Sequence, residues 1–165
     1  MTRLLAIVGF MAAASHLLGA REVGDSATII NSGSTNRPGF RIVVDRSGVA
    51  EFTSTPRGSG AQPARRASTR QMLPHGLVQA FYADLQAANR LDSLPAVHCA
   101  KSASFGSILT VAFGQDQTPD LSCGDGGNAV MRNLIRDTRQ IVSLMQTREA
   151  TSDVGGTVRI RGRDT

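Results

Sequence analysis

Cys99 and Cys123 are the only two cysteines among the 165 residues of the chain, and its chemistry turns on their state. One reading makes Cys99 a nucleophile activated by an imidazole, as in thiol enzymes. His98 is next to it, but neighbours in an extended chain point to opposite faces, so His98 is badly placed to activate Cys99. His75 would have to be brought in from elsewhere. No C-x-x-C redox pair occurs. As metal ligands, the two cysteines with His75 and His98 make a Cys₂His₂ inventory, yet the spacing matches no zinc signature. The residues favour a single Cys99–Cys123 disulfide. It closes a loop of about 25 residues, which the chain-entropy treatment values at roughly 3 kcal/mol.

Other candidate chemistry is weaker. Ser102, Ser104 and Ser107 lie near Lys101, a serine–lysine combination, but position 98 is His where the S-x-x-K order needs Ser. A G-x-S-x-G elbow is also missing. Gly124 to Asn128 (G-D-G-G-N) could offer backbone N–H groups to an anion at a helix start, without the P-loop lysine or G-x-G-x-x-G spacing. Asp120, Asp125 and Asn128 do not follow the EF-hand order. An N-cap on Asp125 or Asn128 accounts for the stretch. Asp45 and Glu51 flank the first turn, with nothing to fix them as an acid/base pair. The expectation is therefore no catalytic set, no metal and no cofactor. A small thiol-dependent enzyme or hydrolase using Cys99, His98 or His75 is the alternative.

Charge bears on partners. The net charge is +5, and Lys101 is the only lysine, so the basic residues are otherwise arginine. Arg57, Arg65, Arg66 and Arg70 fall in a stretch with almost nothing to pack, expected as a flexible Arg-rich loop over residues 56–71. These four are the candidate binding residues, toward a protein or an acidic envelope component. Aromatics are 4% of the chain and tryptophan is absent, which argues against nucleic acid, where bases stack on aromatic rings. A secreted protease inhibitor presenting the 56–70 loop is a further alternative, but a floppy loop would have to be ordered on binding.

The first twenty residues read as a secretory signal: a short positive start (Met1-Thr2-Arg3), an apolar run from Leu4 to Ala14, and small residues for cleavage after Ala14 or Ala20. The expectation is an exported protein, periplasmic or extracellular. No later segment is long and apolar enough to span a membrane. Export also suits a disulfide.

These residues need elements to position them. Ser26–Ile30 reads as a short strand. Phe40, Ile42 and Val44 alternate with Arg41, Val43 and Asp45, the period of a half-buried strand, Asp45 to Gly48 turns, and Val49–Thr55 returns with Ala50 and Phe52 inward: a hairpin. Leu77, Val78, Phe81, Leu85 and Ala88 fall at helical spacing within Gly76–Arg90. A second hairpin, expected at the centre of the fold, puts Phe105, Leu109, Val111 and Phe113 on one face and turns at Gly114–Gln117. Its return strand is short because of Pro119. A second helix runs to about Gln146 with Val130, Leu134, Ile141 and Met145 inward and Ile135 and Val142 beside them. The tail, residues 147–165, reads as flexible, with 157–161 as an optional edge strand. The fold class is α+β: a small antiparallel sheet from two hairpins with two helices packed on one face and one disulfide, in a single domain over residues 21–146.

Four stretches together resemble a group of small uncharacterised exported bacterial proteins: S-G-S-T-N (Ser32–Asn36), the strand ending Val44-Asp45, C-A-K-S-A-S-F-G (Cys99–Gly106) and P-D-L-S-C (Pro119–Cys123). The resemblance covers about residues 27–145 and implies export, but it brings no activity and no functional residue with it.

Overall fold

The computed structural model describes residues 25–55, 68–102, 104–124 and 127–154, with side chains of the last helix to residue 147. Six strands form one antiparallel sheet: β1 (Ser26–Asn31), β2 (Gly39–Asp45), β3 (Val49–Thr55), β4 (Ser68–Met72), β5 (Leu109–Phe113) and β6 (Asp116–Gln117). Their order across the sheet is β4-β3-β2-β1-β5-β6. Two helices, α1 (His75–Ala87) and α2 (Ala129–Val154), complete a small α+β fold.

Strand alternation explains which face is covered. In register, Ile29 sits opposite Ile42 and Val111, and Ile42 opposite Phe52. All four are buried, as are Ala27, Val44 and Ala50 in the adjacent row. The intervening Thr28, Arg41, Val43 and Glu51 remain at least partly exposed. Hydrophobic residues at every second position thus build one dry face, against which Leu77, Phe81 and Leu85 of α1 and Leu134, Ile141 and Met145 of α2 are buried. The helices also pack on each other.

The first hairpin turns as its residues require. Gly48 has φ 95°, a left-handed value that glycine adopts without strain. Asp45 holds the turn by accepting from Ser47 Oγ at 2.6 Å and from the Val49 amide at 2.9 Å. Tyr82 ties α1 to the sheet, its hydroxyl donating to Val44 O at 2.7 Å and accepting from the Ala27 amide at 3.2 Å. The Arg46 guanidinium covers its ring, 4.5 Å from the centroid. Asn128 caps α2, its Oδ1 accepting from the Met131 amide at 2.8 Å.

Several expectations need correction. The second hairpin is not central: β1 and β2 hold the middle of the sheet, and β5–β6 lies at one side. Strand β5 begins only at Leu109, so Phe105 is not on its inner face but 63% exposed. The cause is the turn at Gly106, whose amide bonds Ser102 O at 2.6 Å and breaks the alternation. The loop expected over residues 56–71 gives way at Ser68 to β4, an edge strand paired to β3 from Val49↔Met72 to Thr53↔Ser68. Its S-T-R-Q-M sequence carries no apolar alternation, and only its partner's backbone makes it a strand. On α2, Met131 rather than Val130 enters the core, and buried Asp137 and Thr138 join the inward side. The helix continues to Val154, because a nucleated helix propagates through Arg, Glu and Ala without an apolar stripe. Residues 147–154 are therefore helical. The leader (1–20), Arg57, Arg65, Arg66, Asp125 and the 157–161 segment lie outside the described residues.

Candidate functional site

The stretch from Thr118 to Cys123 shows how local sequence builds the site. Pro119 cannot extend the ladder beside β5 because it lacks an N–H. Side chains take over: the Val111 amide donates to Thr118 Oγ1 at 3.0 Å and the Leu109 amide to Asp120 Oδ1 at 3.0 Å. Backbone bonds from Thr118 N to Val111 O (2.9 Å) and Leu121 N to Leu109 O (2.7 Å) hold the strip in place. Leu121 is fully buried, so Asp120 and Ser122 on either side of it point the other way, toward the segment leading into β5.

That segment is tied to them twice. Cys99 is disulfide-bonded to Cys123, with Cα atoms 5.3 Å apart. Two residues on, the Lys101 ammonium ion-pairs with Asp120 Oδ2 and donates to Ser107 O and to Ser122 Oγ, each at 2.6 Å. An ammonium has three protons, and three oxygens receive them. Asp120 is equally well supplied, Oδ1 accepting from the Ser122 amide at 2.9 Å and its hydroxyl at 2.7 Å besides Leu109. Burial pushes this carboxyl up. Hydrogen bonds from Lys101, Ser122 and Leu109 outweigh it and hold Asp120 at about 2.

The turn after β1 closes the other side. The Ser32 amide donates to Ile108 O at 2.9 Å, and the Ile108 amide returns a bond to Ser32 Oγ at 2.9 Å. The Asn36 amide bonds Ser104 O at 3.2 Å, and Asn31 Nδ2 donates to Ser107 Oγ at 3.2 Å. Ser32–Asn36, Cys99–Gly106 and Pro119–Cys123, far apart in sequence, therefore meet at one end of the sheet. Held between them, the 99–108 loop presents Phe105 (63% exposed) and Ile108 (52% exposed). A groove of about 340 Å³ runs beside it, lined by Cys99, Lys101, Ser102, Phe105, Gly106 and Ser122 among others.

Cys99 carries no thiol. Lys101 sits at hydrogen-bonding distance from a serine, Ser122 rather than Ser102, Ser104 or Ser107 through its hydroxyl, but all its protons go to oxygen acceptors. His98 and His75 are exposed, and among the described residues neither is hydrogen-bonded to the disulfide or to Lys101. Among the described residues no three acidic, histidine or cysteine side chains cluster as a metal site would require. Of the four arginines expected to bind, Arg70 lies on β4 and faces Glu51, Nε to Oε2 3.5 Å.

The sequence reading brought Cys99 to Cys123 but missed the Lys101–Asp120–Ser122 set. A signal was there: once the cysteines are bridged, Lys101 and the Asp120/Ser122 pair lie within three residues of the crosslink on opposing segments. No protein-family model matches the chain, and neither does any curated protein in the comparison.

Proposed function

We propose that the protein is an exported, non-enzymatic binding module that receives a protein partner at the disulfide-locked end of its sheet. The observation that carries this reading is the exposure of Phe105 and Ile108 on a loop held by a disulfide, an ion pair and backbone bonds to the 32–36 turn. Exposed aromatic and aliphatic anchors on a pre-ordered loop bind with little ordering entropy to overcome. A disulfide suits an oxidising compartment, and among the described residues no helix is long and apolar enough to cross a membrane. The disulfide supports export.

The test is site-specific photo-crosslinking in the cells that make the protein, with the photoreactive residue at position 105 and a control at position 79 on exposed α1. A discrete crosslinked protein at 105, absent at 79 and lost in Ile108→Asp, supports the module. Equal crosslinking at both sites would sink it. Intact mass after thiol blocking, with and without reduction, tests the thiol-enzyme rival. Label on Cys99 without reduction would favour that rival, whereas paired thiols and loss of residues 1–14 or 1–20 would favour the module.

A further inference from the structure

A second surface, on α2, has the opposite character. Arg132, Arg136 and Arg139 follow one another at helical spacing, within an arc of about 60° and along about 10 Å of helix axis. Arg132 and Arg139 form no ion pair among the described residues. Arg136, 61% exposed, spends only part of its guanidinium: Nε meets Asp137 Oδ1 at 2.8 Å and Nη1 meets Asn133 at 3.3 Å. Asp137, buried, is the only acidic residue of α2 as far as Thr147. The solvent side of this stretch therefore sets three guanidiniums against one buried carboxylate of its own, Asp137, with Asp84 of α1 near Arg136. Ile135, 4% exposed, floors a shallow groove of about 340 Å³ between the arginines.

What the face lacks decides its partner. Protein interfaces are organised round an apolar centre, and the large exposed apolar side chains among the described residues, Met72, Phe105 and Ile108, all lie elsewhere. The apolar side of α2 is committed to the core, so the helix cannot insert into a bilayer. Guanidiniums on one helix face, which can grip phosphates with parallel N–H donors, match a planar layer of phosphates. We propose that the Arg132–Arg136–Arg139 row docks the protein reversibly on an anionic phospholipid surface through the headgroup phosphates. Docking is electrostatic, without insertion, and weakens as salt rises.

The experiment is co-sedimentation of the full chain with vesicles of mixed phosphatidylglycerol and phosphatidylcholine, or of phosphatidylcholine alone. Each basic residue near an anionic surface strengthens partitioning about fivefold, so Arg132→Gln/Arg139→Gln weakens binding to the anionic vesicles about 25-fold. Both substitutions fall on exposed residues whose side chains have no partner among the described residues, and an unchanged unfolding midpoint verifies folding. Wild type and variant share the N-terminal apolar run, so their difference reads the arginines. Equal binding by both, or no preference for anionic vesicles, overturns the proposal. So does loss confined to an Arg57→Gln/Arg65→Gln/Arg66→Gln variant. Competition by inorganic phosphate at constant ionic strength overturns it in favour of a free-phosphate site. Tighter binding to polyglutamate than to the vesicles overturns it in favour of an acidic polypeptide.

Discussion

Two carboxylate sites in this molecule are both withdrawn from water and behave in opposite ways. At the locked end of the sheet, Asp120 receives donors on both oxygens, from Lys101, Ser122 and Leu109, and sits at about 2. Between the helices, Asp137 is 1% exposed and its Oδ2 has no hydrogen-bond partner among the described residues. Nearby Asp84 is raised by burial first, lowered by a bond from Asn133 and raised again by Asp137. Burial acts alike at both places. The number of donors decides the outcome: Asp120, with donors on both oxygens, is held low, whereas Asp84, with a single bond from Asn133, is left raised.

The largest effect should come from the crosslink beside Asp120. Reducing the disulfide, or replacing both cysteines by Ala, is expected to lower stability by about 3 kcal/mol. Urea unfolding of oxidised and reduced protein measures it, and an unchanged midpoint would mean the loop is held without the crosslink. Next comes the contrast between the carboxylates. Asp120→Ala strands the Lys101 ammonium and the Leu109 and Ser122 amides, which should lower stability by about 2 kcal/mol. Asp137→Asn gives up little, and its effect should stay within about 1 kcal/mol in either direction. Equal losses for the two would break the comparison.

Gly106→Ala tests the loop by sterics alone. An added Cβ would lie 2.6 Å from Ser102 O and 2.7 Å from Lys101 Cβ, so about 1–2 kcal/mol should be lost as the loop shifts. Crosslinking at position 105 should fall with it.

The pH dependence gives the sharpest contrast, because its sign differs. Asp120 titrates lower in the folded chain than in the unfolded one, so its stabilisation is present above the unfolded value. It is lost as pH falls from about 4 toward 2. Asp84 titrates higher when folded, so its contribution is complete below the unfolded value and fades as pH rises through the folded one. Urea midpoints against pH should lose their acid-side fall in Asp120→Asn and their higher-pH decline in Asp84→Asn. A variant that leaves its slope intact would remove that residue from the account.

Where physics is local, the sequence was readable. Phe40, Ile42, Val44, Ala50 and Phe52 announced the first hairpin by their period, and all are buried as expected. Leu77, Phe81 and Leu85 announced α1, though Tyr82 beside them was passed over. Strand β4 was not readable, since Ser68–Met72 has no pattern of its own and exists by pairing with β3. Phe105 misled because alternation was carried through Gly106, where the chain turns. The site was half legible: the disulfide followed from cysteine count and compartment, but the ion pair needed the crosslink's register to be seen.

The amino-acid order by itself determined the alternation of the inner strands, the turn at Gly48, the stripes of α1 and α2 and the pairing of the only two cysteines. Each rests on periodicity, on backbone freedom or on there being a single partner. Tertiary structure alone decided that β1 joins two hairpins into one sheet, that Lys101 meets Asp120 and Ser122, that Phe105 faces solvent, and that Asp137 lies buried with one oxygen unpartnered among the described residues. Those outcomes depend on which distant segments come together, because a hydrogen bond or an ion pair has no meaning until its partner is in place.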